Sequence, residues 1–176
     1  MLEATTRICD WSDVDLDTFR RLSEYTYEGD YTLPPHCPGT MNSAVVPGPE
    51  IDEANARDTG LFTPDFIAYC RLYTIADKYC VEPLCKLAVS DLREKLQVFK
   101  LYEHNFSAIV ELVHFVYANT PPSYANYHDS LRILVVSYIT SIVGVIGDSD
   151  TFKDLVWEGG DFMLDLLEAT HTFGAT

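Results

Sequence analysis

The side chains that most often do chemistry in metal sites and enzymes are scattered along this sequence. Cys80 and Cys85 are separated by four residues, a spacing at which two thiolates could contact a metal, but Pro83 lies between them and no second Cys or His pair follows at zinc spacing. The histidines are equally dispersed, at His36, His104, His114, His128 and His171. No nucleophile with a positioned base can be argued for any of them. We therefore predict no metal ligand, and both cysteines suit a helix core.

Short catalytic motifs are missing as well. The sequence contains no Gly-x-Ser-x-Gly, no His-Glu-x-x-His and no glycine-rich phosphate loop, and the Gly159-Gly160 pair is typical of a helix break. A small all-α enzyme would have to assemble its site from isolated acids such as Asp77, Glu82 and Glu111. Since no nucleophile, base or metal constellation accompanies those acids, the sequence favours a protein without catalytic residues or a cofactor.

The charge of the chain favours proteins over nucleic acids as partners. There are 27 acidic and 12 basic residues, a net charge of −15, which opposes binding to phosphates. From His104 onward the only basic residues are Arg132 and Lys153, against acids at Glu111, Asp129, Asp148, Asp150, Asp154, Glu158, Asp161, Asp165 and Glu168. This half would favour a basic partner surface. The alternative is that the charge only maintains solubility.

The cysteines and the hydropathy indicate a cytoplasmic or nuclear protein. Five cysteines, an odd number, include Cys70, Cys80 and Cys85 on or beside apolar helix faces, which is typical of reduced core residues. The first residues lack the apolar stretch of a secretory signal. The most apolar segment, 131–146, contains Arg132 and falls short of the ~20 residues that a membrane span needs. It predicts a buried helix, and no membrane partner is expected.

Hydrophobic spacing places two helices, joined at a short break, at the centre of the chain. The first, 64–80, is apolar on nearly all sides, so we expect an inner element. Thr63 is its predicted N-cap, with Pro64 at the first helical position. Its narrow polar stripe is Arg71, Thr74 and Lys78. Pro83 ends this helix and begins the second one. The apolar face of the second helix consists of Leu84, Leu87, Ala88, Leu92 and Leu96. Its polar face consists of Lys86, Ser90, Arg93, Glu94 and Gln97.

Weaker signals place the remaining elements. A brief strand is predicted at 8–11, and a helix at 16–27, capped by Asp15 and stopped by Gly29, has its apolar residues at Leu16, Phe19, Leu22 and Thr26. Residues 34–60 contain five prolines and three glycines with few aliphatics, and predict a mobile insertion. Later helices are predicted after Asn105 or Ser107, from Asp129 through 146, from Ser149 through Trp157, and from Asp161.

The central helix pair resembles a known family. The run 72–84, Leu-Tyr-Thr-Ile-Ala-Asp-Lys-Tyr-Cys-Val-Glu-Pro-Leu, is similar to the helix pair in the second half of BTB/POZ domains. The run Tyr27-Glu28-Gly29-Asp30-Tyr31 is similar to the turn that precedes that pair, and the segment after 97 resembles the helical tail of fungal BTB proteins. The resemblance implies a mostly α fold with at most one or two short strands. It divides the chain into a partial BTB/POZ-like domain at 1–99, with an insertion at 34–60, and a helical extension at 100–176.

The chain departs from this family at its start. BTB domains begin with strands and helices, among them the helix through which many dimerise, that have no counterpart here. We expect either a natural half-domain or a sequence that starts at an internal methionine of a longer protein. The missing half would leave the apolar sides of helices 16–27 and 64–80 partly uncovered. This predicts self-association or a need for a partner chain.

The resemblance also implies a function and a site. It indicates a non-catalytic protein–protein interaction module, an adaptor or scaffold, with a non-functional or mis-started fragment as the alternative. Many BTB domains that recruit cullin ubiquitin-ligase scaffolds carry a hydrophobic-x-glutamate triplet, and Met1-Leu2-Glu3 is similar to it. Met1 and Glu3 are therefore the partner-binding candidates, Met1 for an apolar pocket and Glu3 for charge complementarity. A substrate adaptor of a ubiquitin ligase is the finer prediction.

Overall fold

The computed structural model describes residues 11–12, 14–32, 65–101, 105–123 and 128–173, and within these ranges it contains seven helices and no β-strand. They are α1 (Leu16–Glu28), α2 (Phe66–Lys78), α3 (Glu82–Val98), α4 (Phe106–Asn119), α5 (Ser130–Ile146), α6 (Asp150–Glu158) and α7 (Gly160–Phe173). The predicted mostly helical fold is confirmed. The insertion at 34–60, the cap at 63–64 and most of the strand predicted at 8–11 lie outside the described residues, and Trp11 is not in a strand.

Aspartates begin three of the helices. The Asp15 carboxylate accepts a hydrogen bond from Thr18 N at 3.0 Å at the start of α1, and Asp129 accepts from Leu131 N and Arg132 N at 2.9 and 3.1 Å at the start of α5. Both caps are those that the sequence predicts. Helix α2 starts later than predicted, because Asp65 is its N-cap and accepts from Ala68 N at 3.0 Å. In each case a carboxylate binds N–H groups that have no partner within the helix.

The predicted inner position of α2 is confirmed. Helices α1, α3 and α4 all pack against it. Its buried residues are Phe66, Ala68, Tyr69, Cys70, Leu72, Tyr73, Ile75 and Ala76. Arg71 and Lys78 are exposed, as the predicted polar stripe requires. In α3, likewise, Leu84, Ala88, Leu92 and Leu96 are buried while Lys86 and Arg93 are exposed.

Cys80 lies outside the helix core, so the prediction for this cysteine is wrong. Helix α2 ends at Lys78, and Cys80 has φ 57°, in the left-handed region. This conformation lets Val81 N donate to Ala76 O at 2.8 Å, which satisfies a carbonyl at the end of the helix. Cys80 is exposed, whereas Cys70 is buried and Cys85 half-buried. Burial raises the pKa of the Cys70 thiol, and it raises the pKa of Cys85 to about 11, so both stay protonated at neutral pH.

One hydrophobic cluster runs through the described residues, from Tyr31 to Leu166. It includes residues on both sides of position 100, and the rings of Phe66 and Phe99 meet edge to face with centroids 5.1 Å apart. Helix α5 packs on α3, α4 and α7, and α4 contacts α6. Leu131, Val135 and Ile139 of α5 are buried, as predicted for this apolar segment. None of the described helices is both long and apolar enough to cross a membrane.

Candidate interaction surface

Helix α1 exposes several apolar residues on one side and buries two polar residues, beside Leu22 and Tyr25, on the other. Leu16, Phe19 and Tyr27 are 80%, 39% and 90% exposed. At 100° per residue these positions fall on one side of the helix. Thr18 and Arg21, on the other side, are buried. Of the apolar period that the sequence predicts, only Leu22 packs against the core. An apolar stripe that the described part of the fold leaves uncovered is the first candidate surface.

Trp11 extends this stripe toward the end of α2. Its ring stacks on Tyr79 with centroids 4.7 Å apart, and it meets the Phe19 ring edge to face at 5.3 Å. Tyr79 is 38% exposed. We call Trp11, Leu16, Phe19, Tyr27 and Tyr79 the α1 surface. Its aromatic rings present rigid apolar area with few rotatable bonds, which suits a protein interface.

Asp15 caps α1 and faces Arg71 of α2. Its Oδ2 accepts a hydrogen bond from Thr18 Oγ1 at 2.7 Å and lies 3.8 Å from Arg71 Nη1 on α2. Partial burial disfavours the charge of Asp15, but the two hydrogen bonds from Thr18, with Arg71 and Arg21 nearby, lower its pKa overall. An ionised Asp15 therefore caps α1 and ties it to α2.

A second polar group lies beneath α1. Arg21 is only 6% exposed, and its buried Nε has no hydrogen-bond partner among the described residues. Burial, followed by the negative charge of Asp91, raises the pKa of Tyr69 to about 12, and the positive charge of Arg21 acts in the opposite direction. Tyr31 Oη donates to Asp91 Oδ2 at 2.6 Å. Burial first, and then this hydrogen bond, raise the pKa of Tyr31. These tyrosines are neutral structural groups at physiological pH.

Arg132 is the most consequential residue that the sequence analysis missed. It is the largest fully buried side chain of the described chain, at 2% exposure. Its Nε and Nη2 donate to Oγ1 and O of Thr120, both at 2.8 Å. Its Nη1 lies 3.4 Å from Asp161 Oδ2 and 3.8 Å from Asp165 Oδ2. A lone arginine within an otherwise apolar run was the available signal, because a buried arginine requires partners.

The groups around Arg132 are themselves paired. Tyr117 Oη donates to Asp165 Oδ2 at 2.8 Å, and the Tyr117 ring centroid lies 4.3 Å from the Arg132 guanidinium carbon. Burial, followed by the Asp165 hydrogen bond, raises the pKa of Tyr117. Nearby, Tyr73 Oη donates to Asp129 Oδ2 at 2.8 Å. The Arg132 network thus joins α4, α5 and α7 as a structural junction.

A different set of exposed apolar side chains lies on the last three helices. Trp157 of α6 is 87% exposed, Val145 of α5 78% and Leu164 of α7 63%. Trp157 falls on the same side of α6 as the exposed Asp150 and Asp154, at i, i+4 and i+7. Phe152 and Leu155 are the buried residues of α6. The outer side of α6 therefore combines a tryptophan with carboxylates.

The acids considered for an enzyme do not form a constellation within the described chain. Asp77, Glu82 and Glu111 are all exposed, and no hydrogen bond joins any two of them there. Glu82 Oε1 instead pairs with Lys86 Nζ at 2.7 Å. His114 Nδ1 lies 3.6 Å from Glu158 Oε2 at the surface. The described residues include no group of three or more His, Cys, Asp or Glu side chains that could hold a metal ion.

The two partner-binding residues predicted from the sequence, Met1 and Glu3, lie outside the described residues. Their role stays a prediction. Comparison with known proteins adds no relative: no family model matches the chain, and neither does any curated protein or solved structure. The BTB/POZ resemblance is likewise a prediction from the sequence.

Proposed function

We propose that this chain is a non-catalytic protein–protein interaction module, a BTB/POZ-like adaptor or scaffold. The observation that carries the proposal is the orientation of α1, with Leu16 and Tyr27 outside while Thr18 and Arg21 are inside. Scattered exposed hydrophobic residues are ordinary, but several on one side of a helix, with Trp11 joining Phe19 to Tyr79 by ring contacts, are typical of an interface. Trp and Tyr, which are enriched among the residues that dominate binding energy, both contribute to the α1 surface.

The position of the α1 surface supports the BTB/POZ-like part of the proposal. The resemblance runs through α2 and α3, and α1 packs directly on α2. In the family, further strands and helices precede the segment that this chain resembles. A second copy of the chain or a partner protein would cover α1 and Tyr79. Such contact would remove the exposed area of Leu16 and Tyr27 from water, at roughly 25 cal/mol per Å² of apolar surface.

The proposal predicts that the α1 surface drives association. We expect the protein to self-associate in sedimentation velocity runs at increasing concentration, and the double variant Leu16→Asp/Tyr27→Ser to weaken association by at least about tenfold. Both side chains are at least 80% exposed, so the variant should keep its melting temperature. Val98→Asp changes an apolar residue that is 70% exposed on α3 and is the matched control. A monomeric wild type, or equal association of all three proteins, contradicts this role of α1.

A finer proposal is that the chain recruits a cullin scaffold through Met1 and Glu3, as a ubiquitin-ligase substrate adaptor would. We expect a cullin N-terminal domain to be captured by the wild type and lost with Glu3→Lys, because the charge that would complement the scaffold is reversed. Glu111→Lys is the control, since Glu111 is exposed on α4 and Ile109-Val110-Glu111 has the same hydrophobic-x-glutamate pattern. Capture that survives Glu3→Lys, or no capture by the wild type, excludes this mode and leaves the interaction module.

A further inference from the structure

The side chain of Trp157 is more exposed than a tryptophan normally is. Tryptophan is highly buried on average in folded proteins, yet 87% of this side chain contacts solvent. Helix α6 already packs against the core through its inner side, where Phe152 and Leu155 are buried. Trp157 therefore contributes little to the packing of α6, and its large apolar area remains available for binding.

Two acids of α6, Asp154 and Glu158, lie outside the first turn, where a negative charge would stabilise the helix. The partial negative charge at a helix C-terminus favours basic residues in the last turn. Helix α6 has none there, and instead Asp154 and Glu158 flank Trp157. Only Asp150, in the first turn, lies where an acid favours the helix. The helix dipole therefore does not explain the placement of Asp154 and Glu158, although Glu158 Oε2 also lies 3.6 Å from His114 Nδ1 of α4.

The charge around Trp157 is only slightly compensated. Seven acids occur between 148 and 168, namely Asp148, Asp150, Asp154, Glu158, Asp161, Asp165 and Glu168, and Lys153 is the only Lys or Arg in that range. Lys153 Nζ is engaged locally, by Asp148 O at 2.7 Å and Asp150 Oδ1 at 3.5 Å. Asp161 and Asp165 face Arg132. The carboxylates on α6 thus surround Trp157 with negative potential.

We propose that the outer face of α6, with Trp157 flanked by Asp150, Asp154 and Glu158, binds a basic amphipathic helix of a partner protein. Trp157 would contact the apolar side of that helix, and its Lys and Arg residues would pair with the carboxylates. This deepens the proposed function by naming a partner chemistry, and it uses a surface separate from the α1 surface. A second copy of this chain, with net charge −15, is repelled by the same face, and so is an anionic membrane.

The test uses a synthetic peptide of roughly five helical turns, with Leu on one face and Lys on the other, and a second peptide with Glu in place of Lys. The protein is the full chain with Trp11→Phe, so that Trp157 is its only tryptophan. We expect the Lys peptide, but not the Glu peptide, to shift Trp157 emission to shorter wavelength. Affinity should fall at least about tenfold when salt is raised from low concentration to about 1 M, where screening is nearly complete.

Variants separate this site from general attraction between opposite charges. Asp150→Asn/Asp154→Asn should weaken peptide binding at least about tenfold, and Trp157→Ala at least about 30-fold by anisotropy of the labelled peptide. The matched control, Asp17→Asn/Glu28→Gln, also removes two negative charges, but at exposed positions of α1. It should stay within about twofold of the wild type. Melting temperatures of all variants check that the fold is retained.

The outcomes distinguish this site from the α1 surface. The variant Leu16→Asp/Tyr27→Ser should bind the Lys peptide with the affinity of the wild type. A failure of the association proposed for the α1 surface would therefore not contradict binding at α6. An unchanged Trp157 emission, equal binding of the Glu peptide, or an equal loss with the α1 control would overturn it. Self-association that requires Trp157 would also overturn it, since the occupant would then be a second copy of the chain.

Discussion

Replacing Arg132 with alanine is expected to destabilise the fold by about 3–5 kcal/mol, the range seen when one partner of a buried ion pair is removed. The substitution removes a side chain that is 2% exposed and leaves Oγ1 and O of Thr120 without their donors. It also leaves Asp165, whose side chain is 15% exposed, without its counter-charge. The measurement is urea unfolding followed by circular dichroism.

Two further variants identify the cause of the loss. Arg132→Lys keeps the positive charge but cannot reproduce the planar donor geometry toward Thr120 and Asp161, so an intermediate loss is expected. Arg93→Ala, at an exposed position of α3, should stay within about 0.5 kcal/mol of the wild type. If Arg132→Ala is as mild as Arg93→Ala, the junction of α4, α5 and α7 does not depend on this network.

Replacing Leu84 with aspartate should unfold the protein or make it insoluble. Leu84 is fully buried between α3 and the inner helix α2, and an unpaired carboxylate there costs several kcal/mol, of the order of the whole stability of a domain. Tyr73→Asp should act in the same way, since Tyr73 is 5% exposed and its hydroxyl binds Asp129, so two carboxylates would face each other.

Arg93→Asp is the control for both aspartate variants. It introduces the same residue into α3 on the exposed side, away from the core. Thermal melts should therefore show a cooperative transition near that of the wild type. Equal behaviour of Leu84→Asp and Arg93→Asp would mean that the assignment of the two faces of α3 is wrong.

Local patterns were sufficient to predict most helices of this protein. The caps at Asp15 and Asp129 depend on hydrogen bonds to residues two or three positions away, and both are readable as a polar residue before an apolar period. The faces of α3 follow from spacing alone, because a helix of 3.6 residues per turn brings Leu84, Ala88 and Leu92 to one side.

The prediction for Cys80 failed because the spacing of neighbouring residues did not determine where α2 ends. Helical spacing extended α2 to Cys80, but a left-handed turn before Pro83 ends the helix earlier and exposes that cysteine. The candidate residues Met1 and Glu3 came from a family resemblance, which the comparisons leave untested. Partly uncovered apolar sides were predicted for both α1 and α2 from the family resemblance; the structure exposes that of α1 but buries that of α2. Periodicity could not distinguish the two, because it shows which residues share one side of a helix and not whether another element covers that side.

The sequence by itself determined most of the helices, the caps at Asp15 and Asp129, and the inner position of α2, since these follow from short-range hydrogen bonding and from the number of apolar sides. Only the tertiary structure decided which face of α1 is buried and how Arg132 is paired. Thr18 and Arg21 are buried on the side of α1 from which Leu22 and Tyr25 pack against the core. Arg132 is accommodated because Thr120, Asp161 and Asp165, 12 to 33 positions away in the chain, meet at its guanidinium group.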